Sequence, residues 1–309
     1  MAKKVSIVAV FWVISLLIMP LTSAKGEEEM PTLRESFRPS ILQGTWYPKD
    51  PMALSKMVEG FLKEAGEDVC QGRLKALVVP HAGYVYSGQV AAHGFALLKD
   101  LNIHRVILVG PSHRARFSGV SVNLQGGYQT PLGIVPVDQS FGKRLIHESD
   151  IIRWFPEAHG QEHSIEIQLP FLQKVISSFQ IVPILMGTQN WETCRTLSQV
   201  ITKTLGPSQG TLLLASTDLS HFHTDSKAKT LDRRFIDLVH NMEPQALSRS
   251  LSQRKTEACG GGPTVTVLLA AREVGANRTC ILSYANSGDV TGDHSRVVGY
   301  FSAAITAQE

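Results

Sequence analysis

Apolar runs of strand length recur along the chain with amphipathic stretches between them. Residues 75–79, 105–109, 180–186, 211–215 and 280–285 are short and largely apolar, the pattern of strands buried on both faces. In 53–64, 89–98, 139–148, 165–179, 191–205, 227–239 and 264–274 the apolar positions return every three or four residues. That spacing predicts helices, the fourth kinked or split by Pro170. Strands separated by helices of this length imply right-handed crossovers. The expected fold is a single α/β domain, a mixed and mostly parallel sheet with helices on both faces, to which 295–306 adds an edge strand. No internal repeat or low-complexity segment interrupts it.

The amino-terminal pattern differs. Lys3 and Lys4 precede an apolar run over 5–21, and Thr22-Ser23-Ala24 follow, which reads as an export signal over 1–24. The run also has the length of an uncleaved membrane anchor, but Pro20 and the small residues favour cleavage. Residues 25–39 are charged and aperiodic and read as a linker, so the domain is expected over 40–309. The expected location is periplasmic or secreted, with no membrane attachment after cleavage.

Composition adds exclusions. The chain carries 30 Lys and Arg against 27 Asp and Glu. Without the two leader lysines the balance is close to neutral, and no nucleic-acid footprint follows. The glycine turns match neither a P-loop nor a dinucleotide fingerprint, so neither a nucleotide nor a flavin is indicated. The four cysteines, Cys70, Cys194, Cys259 and Cys280, match no zinc or disulfide framework, although an oxidising compartment permits disulfides. A disulfide that consumed Cys259 would remove it from any metal site.

In such sheets ligands bind beyond the carboxyl ends of the strands. His81 follows the 75–79 strand, His113 follows 105–109, and Asp218 and His221 follow 211–215. A single histidine is usually structural, but three strand ends converging on imidazoles suggest a metal site, since neutral imidazole is the commonest metal ligand. Two histidines with one anionic ligand leave coordination positions open. Asp218 and Cys259 both qualify as the third. Cys259 lies in a glycine-rich turn before the 264–274 helix, where a helix start is expected to lower a thiol pKa. From that segment alone a buried, inert cysteine is the simpler reading. Glu162, His163 and Glu166 stand at the mouth of the 165–179 helix and are expected only to support the site. Serine hydrolysis through His221 with Ser112, Ser216 or Ser220 is a weak alternative, because no nucleophile elbow is present.

The segments HAGYVYSG, GPSH, EHSIEIQLPFL, STDLSHF and CGGGP, in that order over about residues 38–307, resemble the Memo family, known in prokaryotes as AmmeMemoRadiSam system protein B. The resemblance implies a fold similar to class III extradiol (LigB-type) dioxygenases. It implies metal ligands at His81, His113 and Cys259, with Asp218 and His221 bordering the pocket as catalytic groups. Thiolate in place of the dioxygenases' glutamate shifts preference toward copper or zinc and alters iron redox behaviour; the expected cofactor is iron or copper, with zinc an alternative. Two activities follow as expectations: a metal-dependent, dioxygenase-like oxidoreductase acting on a small molecule, or a non-catalytic protein that sequesters metal or takes a peptide in the same pocket. Oligomeric state is not legible.

Overall fold

The computed structural model describes residues 37–66, 70–206 and 209–308, so the expected leader and most of the expected linker lie outside the described residues. The first half runs β1 (Phe37–Arg38), α1 (Pro51–Ala65), β2 (Arg73–Val79), α2 (Tyr84–Ala96), β3 (Arg105–Pro111), β4 (Val120–Val122), β5 (Gly127–Thr130), β6 (Gly133–Pro136), α3 (Gln139–Glu148), β7 (Ile152–Arg153) and α4 (Pro156–Gly160). A 3-10 turn (Glu166–Gln168) leads into α5 (Leu169–Val175), β8 (Gln180–Met186), α6 (Trp191–Leu205), β9 (Thr211–Ser216) and β10 (His221–His223). The chain ends with α7 (Asp225–His240), α8 (Pro244–Ser252), α9 (Gly261–Glu273), β11 (Arg278–Asn286), α10 (Ser287–Thr291) and β12 (Val297–Ala307).

The main sheet has the order β10-β12-β2-β9-β3-β8-β4-β7, with β11 also on β12. Its centre, β2-β9-β3-β8, is parallel, and both flanks contain antiparallel pairs. The parallel centre and mixed character match the expectation. β12 is not the edge strand its sequence suggested: Ala303 pairs with Val78 on one side and with Ile281 on the other. β12 therefore carries the antiparallel flank. β1, β5 and β6 form a separate three-stranded sheet.

Alternation explains the continuous apolar runs. Leu77, Val79, Val106, Leu108, Leu212 and Leu214 join one core with Phe95 of α2 and Phe171 of α5. Their neighbours Ala76, Val78, Ile107, Val109, Leu213 and Ala215 are as deeply buried, and successive strand residues point to opposite faces. Helix α9 packs on β9, β2 and β3 and contacts α6 and α8, while α2 contacts α1 and α5. Helices thus cover both faces. The predicted bounds of α3 and α6 match because Asp138 and Asn190 cap them, accepting from Phe141 N (2.9 Å) and Thr193 N (2.9 Å). The predicted 165–179 helix breaks into a 3-10 turn and the shorter α5, Pro170 standing where the second piece starts.

Register brings the strand ends level. Val79 pairs with Ser216 and Val109 with Ala215, so the turns after β2, β3 and β9 open side by side. The domain also begins earlier than residue 40. Phe37 and Arg38 pair with Gly127 and Tyr128, and the Arg38 side chain is buried against Glu166 at 2.5 Å. An aperiodic, charged stretch conceals this, because the buried Arg38 finds its partner 128 residues away.

Cys70 and Cys280 form a disulfide that joins the approach to β2 with β11. Cys194 and Cys259 are free. Replacing Cys70 and Cys280 together by serine is expected to lower stability by about 2–4 kcal/mol. The urea-unfolding midpoint of oxidised protein measures this, and an unchanged midpoint would mean that the cross-link does not form.

Candidate metal centre

His81 occupies the turn after β2 and is buried. Its backbone N–H donates to Asp218 Oδ1 (2.7 Å) and its Nδ1 lies 2.9 Å from Ser216 Oγ. The Ser216 hydroxyl donates its one hydrogen to the Ser164 carbonyl (2.6 Å) and accepts from Gln168 Nε2 (2.9 Å). Only an accepting lone pair remains for the imidazole, so His81 carries its proton on Nδ1 and presents Nε2 bare.

His113 reaches the same tautomer by another route. Glu162 accepts from the His113 backbone N–H (2.6 Å) and from Nδ1 (2.9 Å), as well as from the amides of His163 and Ser164 (each 2.9 Å). Burial opposes ionisation of Glu162, but the hydrogen bonds from the His113 ring and amide outweigh it and hold the carboxyl far below its usual range. Glu162 is thus a buried carboxylate that orients a histidine. Glu166, too, points inward. It accepts from Arg38, Ser40, Tyr47 and the amides of Ile41 and Leu42.

His163, expected only to support, stands with the other two. Its ring stacks on His113 at 4.3 Å and meets His81 edge-on at 5.3 Å. One ligand atom from each of His81, His113 and His163 lies within 4.8 Å of the others. Its buried Nδ1 lies 3.4 Å from Glu162 Oε1 without making a hydrogen bond. Burial lowers its pKa to about 4, so the ring is neutral and free to ligate. Trp46 covers the cluster, 4.7 Å from His163.

Cys259 precedes α9, and its Sγ lies 3.0 Å from His81 Nε2 and accepts from the Asp218 amide at 3.2 Å. The adjoining Gly260 is required by contact: a Cβ there would collide with the Ser216 carbonyl and the Thr217 side chain. The helix start does not lower this thiol's pKa. Burial first, and the Asp218 carboxylate second, push it well above the ordinary value. Because His81 Nε2 bears no hydrogen, it accepts from the thiol, whose other acceptor is the Asp218 carbonyl at 3.5 Å. Two bare imidazole nitrogens, a third imidazole beside them and a thiol form a donor set that fits a d-block cation.

Asp218 and His221 lie beside these groups. Burial raises Asp218 to about 7, against hydrogen bonds from the His81 and Ala82 amides that lower it. His221 donates Nδ1–H to the Leu219 carbonyl at 2.8 Å, leaving Nε2 bare. Burial lowers its pKa. The hydrolytic alternative loses its nucleophiles. Ser216 is committed to His81, Gln168 and Ser164, and Ser112 donates to the Ala115 carbonyl. The buried Ser220 hydroxyl makes no hydrogen bond to His221.

Asp218 gives a pH dependence with a definite sign. Its folded pKa of about 7 exceeds the unfolded value of about 4. The stability advantage of the protonated form is therefore full below the unfolded value and lost as pH rises through about 7. Metal-free Asp218→Asn, which mimics the neutral acid, should lose less stability than the parent protein between these pH values. Parallel pH series of denaturant midpoints measure the difference, and parallel curves would show that Asp218 is already ionised at low pH.

Comparison with known proteins identifies the family and the fold. The family model described as Memo-like protein matches residues 38–304. A MEMO1 family protein of Methanothermobacter thermautotrophicus is 36% identical over 271 residues, covering 85% of this chain and 98% of that one. A MEMO1 family protein of Sulfolobus acidocaldarius is 37% identical over 272 residues, covering 84% and 95%. The crystal structure of an uncharacterized protein from Escherichia coli K12 shares the fold with a TM-score of 0.51 at 17% identity, covering 75% of this chain and all of that one. With its fold, its strand-end histidines and these relatives in agreement, the chain belongs to the Memo family.

Proposed function

We propose that this protein is a metal-dependent oxidoreductase whose iron or copper is held by His81, His113 and Cys259. The observation that carries the reading is that independent hydrogen-bond networks leave His81 Nε2 and His113 Nε2 both bare, with the Cys259 sulfur 3.0 Å from the former. A redox-active ion bound there would polarise a coordinated small molecule and exchange electrons with it. The remaining work falls to the chain. His221, its Nδ1–H committed to Leu219, takes up or returns a proton at Nε2. Asp218 holds the His81 turn and borders the pocket, and Trp46 shields the histidines from water on one side. His163 is the alternative third ligand, because one of its ring nitrogens lies within 4.8 Å of ligand atoms of His81 and His113.

The Cys70–Cys280 disulfide supports an exported protein, since such bonds persist in oxidising compartments. It also leaves Cys259 as a thiol. Among the described residues no helix is long and apolar enough to cross a membrane.

Cobalt loading tests the ligand set. Stoichiometric binding with a thiolate-to-metal absorption band is expected, abolished by His81→Ala. The band should vanish in Cys259→Ser and persist in His163→Gln; stoichiometric binding without any such band, kept in Cys259→Ser and lost in His163→Gln, would assign the three-histidine set instead. Glu162→Gln should weaken binding by about 10–100-fold, the usual effect of losing a carboxylate behind a ligating histidine. Anaerobic iron or copper loading followed by oxygen-uptake assays with phenols tests the redox reading. Tight metal binding without turnover of any substrate would favour sequestration or peptide docking in the same pocket.

A further inference from the structure

Asp232 is a fully buried carboxyl group on α7 that none of the chemistry above uses. Its Oδ1 accepts from the Ser220 amide at 3.0 Å, and its Oδ2 accepts from the Tyr284 hydroxyl at 2.8 Å. Gly299 of β12 lies against the same carboxylate, and a Cβ at that position would collide with it. A buried carboxyl is expensive to keep, so what it holds matters. Here it holds the tripeptide that carries His221. Ser220 is fastened by Asp232, and Leu219 by its amide to the Gly299 carbonyl (2.8 Å), while the Gly299 amide returns to the Ser220 carbonyl (3.0 Å). The free end of this tripeptide is the Leu219 carbonyl, which receives His221 Nδ1–H at 2.8 Å.

We infer that Asp232 is a positioning residue for His221: by fastening Ser220 it aims the Leu219 carbonyl, which fixes His221 in its Nδ1–H tautomer with Nε2 toward the pocket. The inference rests on the reading of His221 as the proton-moving group, and Asp232 itself touches neither the histidine cluster nor Cys259 in any recorded contact. Gly299 belongs to the same device, because only a residue without a side chain lets β12 lie against the carboxylate while bonding the loop on both sides.

Imidazole nitrogen chemical shifts of metal-free protein at mildly alkaline pH report the tautomer directly, with His221→Gln assigning the signal. The parent protein should show one Nδ1–H form. Asp232→Ala should give a mixture of tautomers, whereas Asp232→Asn, which keeps an acceptor for Ser220, should restore the single form. A purely structural role would lower the melting temperature of Asp232→Ala and leave the tautomer alone, and that result overturns the inference. So would an Asp232→Asn protein as mixed as the alanine variant. Should Asp232→Ala fail to fold, Gly299→Ala displaces the carboxylate without removing it and is expected to produce the same mixture; an unchanged signal there overturns the inference as well. Failure of the functional reading looks different: metal binding or turnover is absent while the parent His221 signal remains a single tautomer.

Discussion

The Glu162 carboxylate, buried and ionised, gathers the His113 ring, the His113 amide and the amides of His163 and Ser164 onto two oxygen atoms. A carboxylate in that position is tolerable only when its lone pairs are filled by donors, and the donors available are the groups that form the cluster. Removing any one leaves charge without a partner. Arg38 extends the same constraint outward: it bonds the Glu162 carbonyl (2.7 Å), the His159 carbonyl (2.6 Å) and the Glu166 carboxylate. The loop that carries His163 is thereby fixed from behind by the first described strand. The segment over 37–47 belongs to the site's foundation even though it contributes no ligand.

Much of this was legible in the sequence, and the gaps have physical causes. The parallel strands are short apolar runs because both faces are buried, and His81, His113, Asp218 and His221 are conspicuous because they directly follow such runs. β12 was misplaced because strand pairing on two sides leaves no mark on a single segment. His163 was underrated because Glu162 and His163 were read as the start of a regular helix. One signal was available: Glu166 stands between Ile165 and Ile167, an apolar setting for a carboxylate, and the structure buries all three. Arg38, Asp232 and Gly299 act through partners far away in the chain, and no local pattern announces them.

The cysteines separate by environment. Cys70 and Cys280 meet across 210 residues, a pairing that spacing alone could not choose among the alternatives. Cys259 is instead spent on the histidines, and burial keeps its proton on sulfur until something replaces it. This reverses the usual account of a cysteine ahead of a helix. The helix dipole acts over one turn and is modest near solvent, whereas loss of hydration at a buried sulfur beside a carboxylate is larger. A cation held by His81 and Cys259 would change that balance, because its charge stabilises thiolate in a way the helix start does not.

The loop after β9 ties these parts together. Ser216 fixes the tautomer of His81, the Asp218 side chain holds the His81 amide, the Asp218 amide bonds the Cys259 sulfur, and Leu219 fixes His221. Three residues of one strand end thus set the protonation or orientation of His81 and Cys259 on two other segments and of His221 on the same loop. Such a loop cannot move at one point without disturbing the rest. That explains why it is clamped from both sides, by Cys259 and Gly260 ahead of α9 and by Asp232 and Gly299 behind. The precision of the donor set is a property of this loop and of Glu162 more than of any single ligand, since His81, His221 and His113 each present a bare Nε2 only because a fixed acceptor occupies Nδ1.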